Sequence, residues 1–199
     1  MDDYLQAEVD APNGAPLLFL LHGTGGDEND LVELGRQLMP GAHLISPRGD
    51  VTENGAPRFF KRLGMGVFDM PDLERATNKL RGFLRRQVER LLPERVAALG
   101  YSNGANILAS VLFAEPLLID RAVLMHPLIP FTPPSQPMLK GRRVLITAGR
   151  HDPIVPWDRT AELEAYFREQ GAAVELFAHD GGHQLQRGEL EASARFLTQ

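Results

Sequence analysis

Cysteine does not occur anywhere in the 199 residues. That absence excludes disulfides, a thiolate nucleophile and cysteine-ligated metal, while leaving the compartment open. Positive charge is in deficit: 21 Lys and Arg stand against 26 Asp and Glu, a net charge of −5. This balance argues against nucleic acid as a partner. No apolar run reaches membrane-spanning length, and the acidic start MDDYLQAEVD has no apolar signal-peptide core. A cytoplasmic chain without a membrane span is therefore expected. Repeats, low-complexity segments and linkers are missing too, so residues 1–199 are read as one domain large enough for a full core.

What is present alternates. Short apolar runs at 17–21 (LLFLL), 42–46 (AHLIS), 96–99 (VAAL), 121–126 (RAVLMH), 143–148 (RVLITA) and 173–177 (AVELF) read as buried strands. An edge strand is expected near 5–9. Helical spacing covers about 27–39, 71–92, 105–113, 157–170 and 183–197, with Pro71 opening the second helix and Pro93 closing it. Strand–helix alternation of this kind predicts a mostly parallel sheet with helices on both faces. The long stretch 47–70 has no clear period. It carries Phe59, Phe60, Met65, Phe68 and Met70, which argues against disorder.

The segment 94–113, ERVAALGYSNGANILASVLF, organises the rest. Gly100-Tyr101-Ser102-Asn103-Gly104 fits G-x-S-x-G between an apolar strand and a helix, the context this motif requires. With five serines and 19 glycines, chance would supply the pattern in roughly one such sequence in twenty. The flanking glycines allow a tight turn that lifts the Ser102 hydroxyl clear of the sheet and turns the Asn103 N–H towards the same space. The plain alternative is a glycine-flanked turn with a serine N-cap.

A serine nucleophile needs a base, and the base needs a partner to fix its tautomer. In doubly wound sheets such groups gather at the carboxyl ends of strands. Among downstream aspartates, Asp120 lies at the wrong edge, Asp158 begins a helix and Asp180 reads as a turn residue. Asp152, just past RVLITA, is the candidate. Among the histidines, His126 ends a strand beside the site, His151 adjoins Asp152 and His179 reads as structural. His183 follows Asp180-Gly181-Gly182, a loop able to bring a side chain over the turn. The order Ser102, Asp152, His183 is that of α/β-hydrolases. The loop His22-Gly23-Thr24-Gly25-Gly26 lacks the rest of a phosphate-binding motif, and His22 is expected to hold it in place.

Together, the His22–Gly26 loop, GYSNG, Ala148-Gly149 with Asp152 and Val155-Pro156, and Gly181-Gly182-His183 resemble the small carboxylesterase/phospholipase branch of the α/β-hydrolases. Within it, the chain is similar to bacterial esterases, some linked to hydroquinone metabolism. Acyl-protein thioesterases usually carry Gln where Asn103 stands. Dienelactone hydrolases are similar in size but use Cys. The resemblance implies the α/β-hydrolase fold without a separate cap domain, a Ser102–His183–Asp152 triad, and an oxyanion hole of the Thr24 and Asn103 N–H groups. It implies no metal or organic cofactor and is compatible with a homodimer.

The expected activity is hydrolysis of a small-molecule carboxylic ester through an acyl-enzyme. The alternatives are a thioesterase or lysophospholipase acting on long chains, a serine peptidase, and a non-catalytic binding module. Phe59, Phe60, Met65 and Phe68 either wall a substrate pocket or form the loop's own core. A pocket they walled would favour acyl chains of about four to six carbons, because each buried methylene contributes about 0.8 kcal/mol.

Overall fold

Leu17, Phe19 and Leu21 bury against one set of helices while Leu18 and Leu20 bury against another, which is how the central sheet divides the protein. A computed structural model describes residues 4–199; residues 1–3, part of the acidic start, lie outside the described residues. In chain order the elements begin with β1 (Gln6–Val9), β2 (Leu17–Leu21), α1 (Val32–Leu38) and β3 (His43–Pro47). Four short strands follow: β4 (Val51–Glu53), β5 (Ala56–Arg58), β6 (Arg62–Gly64) and β7 (Val67–Phe68). Next come α2 (Met70–Leu91), β8 (Val96–Tyr101), α3 (Asn103–Ala114) and β9 (Arg121–Met125). The chain ends with β10 (Arg143–Gly149), α4 (Trp157–Glu169), β11 (Ala173–His179) and α5 (Arg187–Thr198).

Seven strands form one sheet in the order β1-β3-β2-β8-β9-β10-β11, parallel throughout except for β1, which pairs antiparallel with β3 at the edge. Helices α2, α3 and α4 contribute to the core on one face, and α1 and α5 to that on the other. This is the expected mostly parallel sheet covered on both sides. No helix among the described residues is long and apolar enough to cross a membrane.

Three boundaries differ from the sequence reading, each for a local reason. Helix α1 starts at Val32 rather than near Asp27, because the Asp27 carboxylate accepts the Asn29 N–H in an Asx turn and Glu28 pairs with Arg48. Helix α5 starts at Arg187 rather than at His183. Gln186 and Glu189 form its capping box, which leaves 180–186 as a loop. Residues 47–70 are not one irregular loop but two small antiparallel hairpins, β4–β5 and β6–β7. Asn54 and Gly55, both at positive φ, make the turn of the first, the Asn-Gly signal of a two-residue hairpin.

Candidate active site

The site is assembled at the carboxyl ends of β2, β8, β9, β10 and β11. Ser102 sits between β8 and α3 with φ 52° and ψ −112°, a conformation a non-glycine residue adopts only under constraint. The constraint comes from close packing on both sides. A methyl group on Gly100 would overlap the Gly104 carbonyl, and one on Gly104 would overlap the Leu21 carbonyl at the end of β2. The Ser102 N–H donates to the Met125 carbonyl, 2.9 Å away, which fixes the turn to β9.

His183 Nε2 lies 2.9 Å from Ser102 Oγ, and His183 Nδ1 lies 2.7 Å from Asp152 Oδ2. The motif serine, the strand-end aspartate and the loop histidine are thus joined by hydrogen bonds, although Ser102 and His183 lie 81 positions apart. The loop carrying His183 is placed by packing. Gly149, ending β10, touches the Gly181–Gly182 backbone so closely that any Cβ would overlap both carbonyls. The Tyr101 hydroxyl donates to the His183 carbonyl at 2.9 Å. Asp152 Oδ1 accepts the Ile154 and Val155 N–H groups at 2.8 and 3.0 Å, leaving Oδ2 for histidine. Burial works against ionisation of Asp152, yet its hydrogen bonds from His183, His126 and the two N–H groups hold its carboxyl below the usual range.

Around Ser102 the glycine-rich loop after β2 is pinned from three directions. His22 is buried; its Nδ1 donates to the Gly23 carbonyl at 2.7 Å and its Nε2 accepts the Gly49 N–H at 2.9 Å. Burial lowers its pKa, so it is neutral and holds the loop, as expected from the sequence. Arg58 Nη1 donates to Thr24 Oγ1 at 2.6 Å, and the Gly25 N–H donates to the Pro57 carbonyl. Asn103 Oδ1 accepts the Phe59 N–H at 2.8 Å, tying the hairpin segment to the start of α3. Among the described residues, the backbone N–H groups of Thr24 and Asn103 donate to no protein acceptor.

Two adjoining concavities meet at Ser102. One, about 260 Å³, is lined by Thr24, Arg62, Met65, Tyr101, Ser102, Ile154 and His183. The other is a recess of about 40 Å³ that reaches Phe68, Asn103, Asn106 and Leu128. Met65 lines both concavities and Phe68 the smaller one, where Phe68 also packs edge-on against Phe60. Phe59 and Phe60 line neither: both are fully buried, packed in the core against His22 and Phe68 respectively. They belong to the main core on the α2–α3–α4 side of the sheet, rather than to a separate core of the loop. Arg58 and Arg62 both pair with Glu53, which offsets part of their positive charge beside the site. Larger grooves of about 540 and 370 Å³ lie elsewhere, beside α2–α3 and α4, and contain none of the three linked residues.

Two residues outside the sequence's candidate set join the network. His126, buried and at φ 52°, places Nδ1 3.0 Å from Asp152 Oδ2. Its Nε2 lies 2.9 Å from Oε1 of fully buried Glu189, with that oxygen off the ring N–H axis. The position of His126 at a strand end was legible; Glu189 gave no signal, since its place in a capping box accounts for it. Asp180 is exposed, and Asp120 caps the opposite edge of the sheet by accepting the Val96 N–H.

The dienelactone hydrolase family matches residues 69–190, from α2 into α5. A protein of Bacillus subtilis (strain 168) named "Putative hydrolase MhqD" is 47% identical over 177 residues, 88% of each chain. Among solved structures, the protein Atu2452 of unknown function from Agrobacterium tumefaciens str. C58 is 52% identical, with a TM-score of 0.91 over 98% of this chain and 95% of that one. A carboxylesterase from Bacillus cereus is 40% identical, with a TM-score of 0.90 over 95% and 91%. The sheet, its helices and these likenesses make the fold that of an α/β-hydrolase, with no separate cap domain evident.

Proposed function

The chain belongs to the dienelactone hydrolase family, and on that premise we propose that it is a serine hydrolase cleaving small carboxylic esters through an acyl-enzyme. The observation that carries this reading is the hydrogen-bonded chain Ser102 Oγ–His183–Asp152 opening onto a cleft. A cysteine nucleophile is excluded because this chain has no cysteine, and serine stands at the strained turn. The likeness to the Bacillus cereus carboxylesterase supports esters as the substrate class.

In the mechanism, Ser102 Oγ attacks the ester carbonyl carbon while His183 Nε2 takes the hydroxyl proton. Asp152 fixes the proton on His183 Nδ1 and stabilises the imidazolium that forms. The negative charge on the former carbonyl oxygen is received by the Thr24 and Asn103 N–H groups, which among the described residues have no competing protein acceptor. Collapse of the tetrahedral intermediate breaks the bond to the leaving oxygen, and His183 protonates the departing alcohol. Water then attacks the acyl-Ser102 ester with His183 again as base, releasing the acid and restoring the serine. These steps act as one unit, and we assign the whole described chain to one domain that carries them.

The small recess beside Asn106 and Leu128 favours a short acyl group. Each methylene that finds apolar cover contributes about 0.8 kcal/mol, roughly fourfold in kcat/KM, and those beyond the recess contribute little. Across p-nitrophenyl esters, kcat/KM is expected to peak at a short acyl chain, no longer than about six carbons, and then level or fall. A continuous rise to palmitoyl esters would overturn this choice in favour of the long-chain thioesterase or lysophospholipase reading.

A further inference from the structure

Asp152 is shared by two histidines, and only His183 is used in the mechanism above. The second, His126, is buried between two carboxylates: Asp152 Oδ2 at 3.0 Å from Nδ1 and Glu189 Oε1 at 2.9 Å from Nε2. An ionised carboxylate only accepts, so Nδ1 carries a proton towards Asp152; Nε2 faces Glu189 Oε1 without an aligned hydrogen bond, and a second proton there is the arrangement that two neighbouring anions favour. Glu189 reaches this position from α5, where its other oxygen accepts the Gln186 N–H at 2.7 Å. Burial works against its charge, but the contacts from His126, the Thr147 hydroxyl and the Gln186 N–H leave its carboxyl below the usual range. His126 is affected in the opposite sense: burial pushes its pKa down, and Glu189 and Asp152 together lift it above the usual value.

We propose that His126 is a positioning residue of the esterase site: a buried imidazolium that clamps Asp152 from behind and whose fixed charge extends activity to lower pH. The inference rests on the reading of Ser102, His183 and Asp152 as the working groups. Asp152, His126 and Glu189 form a buried unit of two anions and one cation. The missing second cation is supplied when His183 takes the Ser102 proton, so the unit is closest to neutral in the transition state. The ring centres of His126 and His183 are 5.1 Å apart. A positive charge on His126 at that distance acts directly on the charge that forms on His183. The backbone at His126 supports a functional constraint, since a buried residue is held at φ 52° there.

The groups facing His126 are Asp152 after β10, Glu189 on α5, His179 at the end of β11, His183 on its loop and Tyr101 of β8. His179 Nδ1 accepts the Gly181 N–H at 2.9 Å, and its Nε2 lies 3.2 Å from Glu189 Oε2.

His126→Asn tests the proposal, because Asn adopts positive φ readily and its amide can donate to Asp152 without a charge. The acid limb of kcat/KM against pH is expected to move up by about one unit, the scale of effect of one nearby charge. A structural contribution alone would lower the rate at every pH and leave the limb in place; that result overturns the proposal. Nitrogen-15 NMR of the wild-type protein is the second measurement and decides if the variant does not fold. Both His126 ring nitrogens are expected to be protonated at pH 7, and Glu189→Gln should release one. A neutral His126 in the wild type, alongside hydrolysis that Ser102→Ala abolishes, sinks the positioning role alone. Hydrolysis that survives Ser102→Ala sinks the underlying reading whatever the state of His126.

Discussion

Replacing Asp152 by Asn changes no volume and removes one charge, so its effect can be followed atom by atom. The carboxylate accepts four hydrogen bonds: Ile154 and Val155 N–H on one oxygen, His183 and His126 on the other. Asn can keep its oxygen on the two N–H groups, which places its NH₂ against the two rings. His183 Nδ1 must then accept, and its proton moves to Nε2, the nitrogen 2.9 Å from Ser102 Oγ. The serine then faces a donor instead of a base. The equivalent change in a serine protease lowers kcat about 10⁴-fold, which corresponds to about 5.5 kcal/mol of activation energy. The structural cost is smaller, about 1–3 kcal/mol for disturbing buried charge-assisted hydrogen bonds. The assay is kcat on p-nitrophenyl acetate at pH 8 beside a thermal melt, where each kcal/mol lowers Tm by roughly 2–4 °C. A folded variant whose kcat stays within about tenfold of wild type would refute the orientation of His183 by Asp152.

Two further outcomes follow from the packing and the buried charges. Phe59→Ala should cost about 3–5 kcal/mol in denaturant unfolding, because its ring is fully buried, whereas exposed Met65→Ala should leave stability unchanged and alter acyl-chain selectivity. Altered selectivity in Phe59→Ala without loss of stability would return that ring to the substrate pocket. The second outcome concerns pH. The raised pKa of His126 gives stability that is full below the unfolded value of 6.5 and is lost as pH rises through its folded value. The lowered values of Asp152 and Glu189 give stability present above 3.8 and 4.5 and lost as pH falls through their folded values. The stability difference between wild type and His126→Asn should therefore be largest between about pH 4.5 and 6.5 and shrink above that window. A difference independent of pH would contradict the charged state of His126.

What the sequence discloses depends on how local the cause is. The turn at Ser102 was legible because Gly100 and Gly104, which permit it, are its near neighbours. Asp152 was a candidate because strand ends converge in a parallel sheet, and His183 because the Gly181-Gly182 loop can carry a side chain over the turn; hydrogen bonds join both to Ser102. Phe59 and Phe60 show the limit of that reasoning. An apolar side chain in a long connection is equally consistent with a pocket wall and a buried ring, and only the hairpin geometry turns these two inward. Asn54-Gly55 carried the hairpin signal but stood in a stretch read as aperiodic. The starts of α1 and α5 were misplaced because side chains at Asp27 and Gln186 reorganise the backbone in ways that apolar period does not record. Glu189 was illegible as part of the site. Its role comes from the packing of α5 against the sheet, and nothing in its neighbours distinguishes it from a surface cap.

The most direct test of the central claim is covalent labelling of the wild-type protein with a fluorophosphonate, followed by peptide mass spectrometry. The expected result is rapid, stoichiometric modification of Ser102, slowed sharply by His183→Ala and absent in a folded Ser102→Ala variant that has also lost ester hydrolysis. Labelling at another serine, or hydrolysis that persists without Ser102, would contradict the assignment of an activated nucleophile to the turn between β8 and α3.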